Sequence, residues 1–209
     1  MLRLSGNQLA QLPQSIGNLK ELVWLNLAGN LLTELPESIG NLRSLEHLLF
    51  HLNKVVAPPS SLDPLSNLVG LSANENSIDS SCPSLRKMSK LKRLALSLND
   101  LPEVPDGIEL CESLEIARFE GNARIDSLPV GMAALPNLRH VGLYGTGLCQ
   151  GPGFVDTLAV NKTALDAAFH ARVDENIVTC CPPDLVRLGI AHLCPGGDPY
   201  AGKSADVRR

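Results

Sequence analysis

The sequence predicts an α/β solenoid of about seven coils, with a parallel β-sheet along one face and a small helical C-terminal cap. Three observations predict it. Asparagines at positions 7, 30, 53, 76, 99 and 122 stand 23 residues apart without a slip. Apolar pairs keep a fixed offset ahead of them: Leu2 and Leu4 before Asn7, Leu25 and Leu27 before Asn30, Leu48 and Phe50 before Asn53, Leu94 and Leu96 before Asn99. An apolar residue stands two places after the asparagine, as Leu9, Leu32, Val55, Ile78 and Leu101.

Each part of the unit has a physical reason. In Leu25-Asn26-Leu27 the alternation has period two, so both leucines point to one side of a short strand and Asn26 to the other. Copies of that strand stack in parallel. The following asparagine sits where the chain turns inward, away from water, and buried backbone there needs polar partners. Its amide carries two donors and an acceptor oxygen, enough to bond its own turn and the neighbouring coil, so Asn7, Asn30, Asn53, Asn76, Asn99 and Asn122 are expected to form a structural ladder. The Leu-Pro step at Leu12-Pro13 and Leu35-Pro36 begins the return, where proline's missing donor does no harm. Ile16, Leu19 and Leu22, three apart, suit a helical or 3₁₀ turn on the convex side.

These units match L-x-x-L-x-L-x-x-N-x-L and resemble the leucine-rich repeat family from residue 1 to about 150, whose period of about 20–29 residues includes this one. The second halves of the first two units, ending Ser15-Ile16-Gly17-Asn18-Leu19 and Ser38-Ile39-Gly40-Asn41-Leu42, are similar to the Ras-binding or plant intracellular class. The resemblance implies a right-handed horseshoe with the parallel β-sheet on its concave face, and a protein-binding scaffold for which that face is the usual binding surface.

Departures follow in chain order. The third unit replaces Leu-Pro by Pro58-Pro59 and then Ser60-Ser61, which predicts an extended convex segment in place of a helical one. In the fourth, Cys82-Pro83 falls one residue late, while Leu85, Met88 and Leu91 are back in phase. The sixth holds one extra residue after Asn122, shifting Leu128-Pro129, Met132, Leu135 and Leu138 together and placing Thr146 in the next asparagine slot. A hydroxyl does only part of an amide's work there. The solenoid is thus expected over residues 1–149. Residues 150–194 are read as a helical cap, one helix from Asn161 to about Asp174 and another after Asp184, and 195–209 as a flexible tail. Because Met1-Leu2 opens directly on a strand, without a polar capping segment, the chain is expected to be a fragment, an incomplete gene model or one part of a longer solenoid.

Composition limits the function. At 209 residues and 44% hydrophobic content the chain can bury a continuous core, and with aromatics at 3% that core must be aliphatic. A formal charge of -4, with no run of five like charges, argues against nucleic acid as partner. Neither a secretory h-region nor a membrane-spanning apolar run is found, which reads as cytoplasmic, with an extracellular location as the alternative.

Offset from the core leucines assigns the concave positions: Arg3 and Ser5; Trp24, Asn26 and Ala28; His47, Leu49 and His51; Gly70, Ser72 and Asn74; Arg93, Ala95 and Ser97; Ile116, Arg118 and Glu120; His140, Gly142 and Tyr144. Any solenoid must place something there. A face holding the chain's only tryptophan, three histidines, a tyrosine and several arginines nevertheless has the composition of an interface hot spot. The partner-binding candidates are therefore Trp24, Asn26, His47, Leu49, His51, Asn74, Arg93, Arg118, Glu120, His140 and Tyr144.

Other chemistry is poorly supported. His47 and His51 are four apart on a strand, roughly 13 Å, too far for one ion at about 2 Å per ligand, and His140 lies four strands away. No metal or cofactor site is expected. Cys82 and Cys111 occupy slots that suit buried apolar residues. Cys149, Cys180, Cys181 and Cys194 gather in the cap region as free thiols, disulfides or metal ligands; no Cys-x-x-Cys pair favours the last. Asn161-Lys162-Thr163 is a glycosylation sequon by pattern. Gly202-Lys203-Ser204 shares only its last letters with a phosphate-binding loop. No nucleophile, base and orienting acid come together, so a non-enzymatic module binding another protein, in signalling or scaffolding, is the expectation. An extracellular ligand-sensing ectodomain and a regulatory arm of a larger signalling enzyme are the alternatives; oligomeric state is left open.

Overall fold

A computed structural model describes residues 1–80, 82, 84–149 and the backbone of 178–179. Eight short strands form one sheet in chain order: β1 (Leu2–Arg3), β2 (Trp24–Asn26), β3 (His47–Leu49), β4 (Gly70–Ser72), β5 (Arg93–Ala95), β6 (Ile116–Arg118), β7 (His140–Gly142) and β8 (Val178–Thr179). All neighbours are parallel. Leu25 pairs with Leu48, Leu48 with Leu71, Leu71 with Leu94 and Leu94 with Ala117, each 23 residues on. Ala117 pairs with Val141, so the insertion after Asn122 is absorbed in the loop and the register survives it.

Strands this short hold because the coil behind each one is a continuous apolar stack. Leu25, Leu27, Leu48, Leu94 and Ala117 are wholly buried, with Phe50 and Phe119 as the largest fillers. The second half of most coils turns through a 3₁₀ segment: Gln14–Asn18, Glu37–Asn41, Ser60–Leu62, Ile108–Leu110 and Val130–Ala134. Pro13, Pro36, Pro59 and Pro129 stand immediately before four of them with φ between -71° and -57°. Proline's fixed φ suits that entry. Pro13 also supplies the carbonyl that accepts from the Ile16 amide at 3.0 Å.

The third coil corrects the expectation of an extended convex segment. Pro58-Pro59 leads into a shortened 3₁₀ turn, because the Leu62 amide still finds the Pro59 carbonyl at 3.3 Å and Leu62 and Leu65 are drawn into the core. The sheet also runs one strand beyond the last repeat. Strand β8 pairs Val178 with Val141 and Thr179 with Gly142, although no leucine spacing announces it. Edge pairing needs only backbone groups and a chain of β-branched character. The expected cap helices at 161–174 and 184–193, the tail at 195–209, and Cys180, Cys181 and Cys194 lie outside the described residues.

Five of the six repeated asparagines bond the preceding coil as well as their own turn. Nδ2 of Asn53 donates to Phe50 O at 2.9 Å in its own turn and to Leu27 O at 3.0 Å in the preceding coil, while Oδ1 accepts from Leu32 N at 3.0 Å. Asn30, Asn76, Asn99 and Asn122 repeat the same three contacts. Asn7 departs from them: it is exposed and donates only to Leu4 O and Ser5 O. Thr146 Oγ1 donates to Leu143 O at 2.7 Å, reproducing the local half of the motif.

Candidate concave binding surface

The register lines up the alternate residues of each strand. Trp24, His47, Gly70, Arg93, Ile116 and His140 form one row across the sheet, and Asn26, Leu49, Ser72, Ala95, Arg118 and Gly142 form the next. Side chains in these rows point away from the buried leucines, as period two requires. Trp24, His47, Leu49 and Ile116 are half-buried; Arg93 and Arg118 are exposed.

Small residues give this face its relief. The Trp24 indole and His47 imidazole meet with centroids 4.2 Å apart and planes tilted by 40°. His47 leans on over Gly70, where an added Cβ would come within 2.8 Å of Nδ1. At the far end the Glu120 carboxylate covers Gly142 in the same way, and it accepts from Ser97 Oγ at 2.5 Å. Glycine at these two points is what lets a neighbouring side chain lie flat on the sheet. Between the two ends is a shallow depression of about 340 Å³, lined among others by Trp24, His47, Leu49, Ser72, Arg93 and Arg118.

Of the residues singled out in the sequence, Trp24, His47, Leu49, Arg93 and Arg118 share this depression. Gly70, Ser72, Ala95 and Ile116, concave by offset, line it too, over the core leucines Leu71 and Leu94. Their signal was the strand slot alone, since small residues and a lone isoleucine carry no chemical flag. The other candidates flank it. Asn26 Oδ1 accepts from Ala28 N at 3.0 Å, Asn74 Oδ1 from Ser97 N at 2.8 Å, and His51 Nδ1 lies 3.2 Å from Ser72 Oγ. These groups brace the loops after the strands. His140 is half-buried at β7, and Tyr144 stands 54% exposed beyond it.

The electrostatics differ from the chain as a whole. Against a net charge of -4, the concave positions carry Arg3, Arg93 and Arg118 with one carboxylate, Glu120. The three ion pairs among the described residues, Arg86 with Asp106, Lys92 with Glu115 and Arg124 with Asp100, involve none of these arginines. His47 is held below its ordinary value of 6.5, first by burial and then by the nearby Arg93 charge, with Glu46 opposing. The thiols are inert by the same logic. Burial pushes Cys82 up to about 12 and Cys111 up to about 11, keeping both protonated near neutrality. Cys111 is wholly buried as expected, whereas Cys82 packs against the core but remains partly accessible. No group of three or more potential metal ligands occurs among the described residues, and no helix there is long and apolar enough to cross a membrane.

A stack of one-strand coils with an open sheet face defines a class, the repeat scaffold that presents a surface instead of enclosing a site. The description "Leucine-rich repeat region" matches residues 1–120, and the chain belongs to the leucine-rich repeat family. No curated protein matches it. Among solved structures it is similar to a plant peptide hormone receptor, RGFR1, in complex with RGF2: 32% identity, TM-score 0.63, covering 69% of this chain and 24% of that one. PEPR1 with AtPEP1 aligns at 33% identity and TM-score 0.58 over 63% of this chain and 20% of that one. A Leptospira interrogans leucine-rich repeat protein aligns at 26% identity and TM-score 0.54 over 90% of this chain and 50% of that one. The chain thus spans a quarter or less of the two receptors and half of the bacterial protein.

Proposed function

We propose that this chain is a non-catalytic protein-interaction module that binds a partner protein on its concave face, in a signalling or scaffolding role. The observation that carries the reading is the depression in which a half-exposed tryptophan, aliphatic side chains and two arginines without an ion pair among the described residues share one face of the sheet. Tryptophan and arginine are the side chains in which interface energy concentrates, and a stacked sheet spares the ordering cost of binding through a loop. Changing Trp24 or Arg118 to Ala is expected to weaken partner binding by more than about 1 kcal/mol with little change in stability. Lys20→Ala is the control, because Lys20 lies off the concave rows, with Nζ 3.4 Å from Asn41 O. An equal loss from that change would show that the wrong face was chosen.

A second reading, an extracellular ectodomain that senses a peptide, is favoured by the likeness to RGFR1 with RGF2 and PEPR1 with AtPEP1. Compartment separates the two. Mass spectrometry under non-reducing conditions that finds Cys149, Cys180, Cys181 and Cys194 paired, with a glycan on Asn161, supports the ectodomain; free thiols and a bare Asn161 support a cytoplasmic module. A regulatory arm of a larger signalling enzyme uses the same face, and the full-length gene tests it.

A further inference from the structure

The depression has two chemically different ends. Trp24 on β2 and Leu49 on β3 are apolar; Arg93 on β5 and Arg118 on β6 are cationic. Between them the His47 ring lies flat over Gly70, and Ser72 and Ala95 in the next row carry only short side chains, so the floor between the two ends is low. Trp24 and Arg93 share a row and are three strands apart, as are Leu49 and Arg118 in the next row. Three strand spacings of about 4.8 Å come to about 14 Å, which is four residues of extended chain at about 3.4 Å each.

The two guanidiniums are diagonal neighbours, since Arg93 pairs with Ile116 and Ala95 with Arg118. Strand geometry puts their Cα atoms about 8 Å apart, so two long side chains can close on one carboxylate from either side. Among the described residues neither takes part in an ion pair. The one concave carboxylate, Glu120, is already held by Ser97 Oγ. Two arginines on one face that find no ion-pair partner among the described residues favour a partner of complementary charge.

We infer that the depression takes an extended acidic segment of a partner protein, with a large apolar side chain against Trp24 and Leu49 and an Asp or Glu side chain four residues away between Arg93 and Arg118. This rests on the concave-face reading above and adds the chemistry and spacing of the occupant. A cationic segment meets like charge at the arginine end, and a purely apolar one leaves both guanidiniums desolvated without a partner.

The test is a selection of random displayed peptides, joined to their carrier at the C-terminus so that no free terminal carboxylate is present, against the intact chain. An Arg93→Glu, Arg118→Glu variant serves for counter-selection. Enriched peptides are made as amides and titrated, following the emission of Trp24, the chain's one tryptophan. The expected peptides carry Asp or Glu four residues from a large apolar side chain and shift the emission. They also lose at least about tenfold in affinity for the charge-reversed variant and weaken as salt is raised. Arg118→Gln, a milder change at an exposed position, gives the same direction of effect if the double variant melts early. Peptides that shift the emission but carry no acid, and bind the variant equally well, overturn the acidic occupant and leave the concave face standing. Peptides that leave the emission unchanged and bind Trp24→Ala as tightly overturn both readings. Failure to enrich any peptide overturns the acidic occupant.

Discussion

Asn53 and Asn7 are the same side chain in the same slot of the repeat, and the structure gives them different work. Asn53 reaches two carbonyls of its own turn and, in the preceding coil, one carbonyl and one amide, whereas Asn7 reaches only carbonyls of its own turn. Each backbone group left unpaired away from water costs about 1–3 kcal/mol. Asn53→Ala is therefore expected to lower stability by about 3 kcal/mol and Asn7→Ala by less than about 1, as read from urea unfolding. His47 offers a second contrast, in pH. Its folded pKa is depressed, so the unfolded chain binds the proton more readily and stability rises with pH through the window below 6.5, levelling off above it. The melting temperature should fall as pH drops from neutrality toward 5, and His47→Gln should remove that part of the slope. A slope unchanged by His47→Gln would place its origin in another group.

One turn recurs after the strands and sets the pitch of every coil. The residue ahead of each ladder position has a positive φ: Gly6, Gly29, Gly121 and Gly145, but also Leu52, Glu75 and Leu98 at 57°, 52° and 56°. For a residue with a Cβ that conformation costs about 1–2 kcal/mol. At Gly29 the nearest atom to an added Cβ is 3.6 Å away, so Gly29→Ala meets strain without a clash and should destabilise by about 1 kcal/mol. Leu52→Gly, at a position 49% exposed, should move stability the other way by a few tenths of a kcal/mol to about 1. Thermal melts of the two variants check both signs. The strands and the ladder were legible in the sequence because leucine and asparagine repeat at every coil. This left-handed slot was not, since it tolerates glycine, leucine and glutamate alike. The short turn after Pro59 escaped for a related reason: two prolines speak for extended chain locally, and only the burial of Leu62 and Leu65 overrides them.

Stability in such a stack is a sum over coils and the interfaces between neighbours, so it need not be uniform along the chain. Coils two to five are bracketed on both sides. In the first coil Leu2, Leu4, Leu9 and Leu12 are only partly buried and Asn7 is exposed. Amide exchange is accordingly expected to be fastest in the first coil and slowest around β3 to β5. Equal protection across all coils would mean that the stack opens as one unit.

The coil length, the buried face of each strand and the ladder follow from sequence alone, because each is a local pattern repeated until chance is excluded. The concave residues too could be assigned by counting, since period two leaves them no other side. Tertiary structure decided which of them lie together. Trp24, Leu49, Arg93 and Arg118 lie as far as 94 residues apart in the chain and share one depression because parallel stacking brings them within a few strand widths. Gly70 lets the His47 ring lie flat, and Ser72 and Ala95 keep the floor between them low. No residue type marks such a site; it exists only in the register that joins one coil to the next.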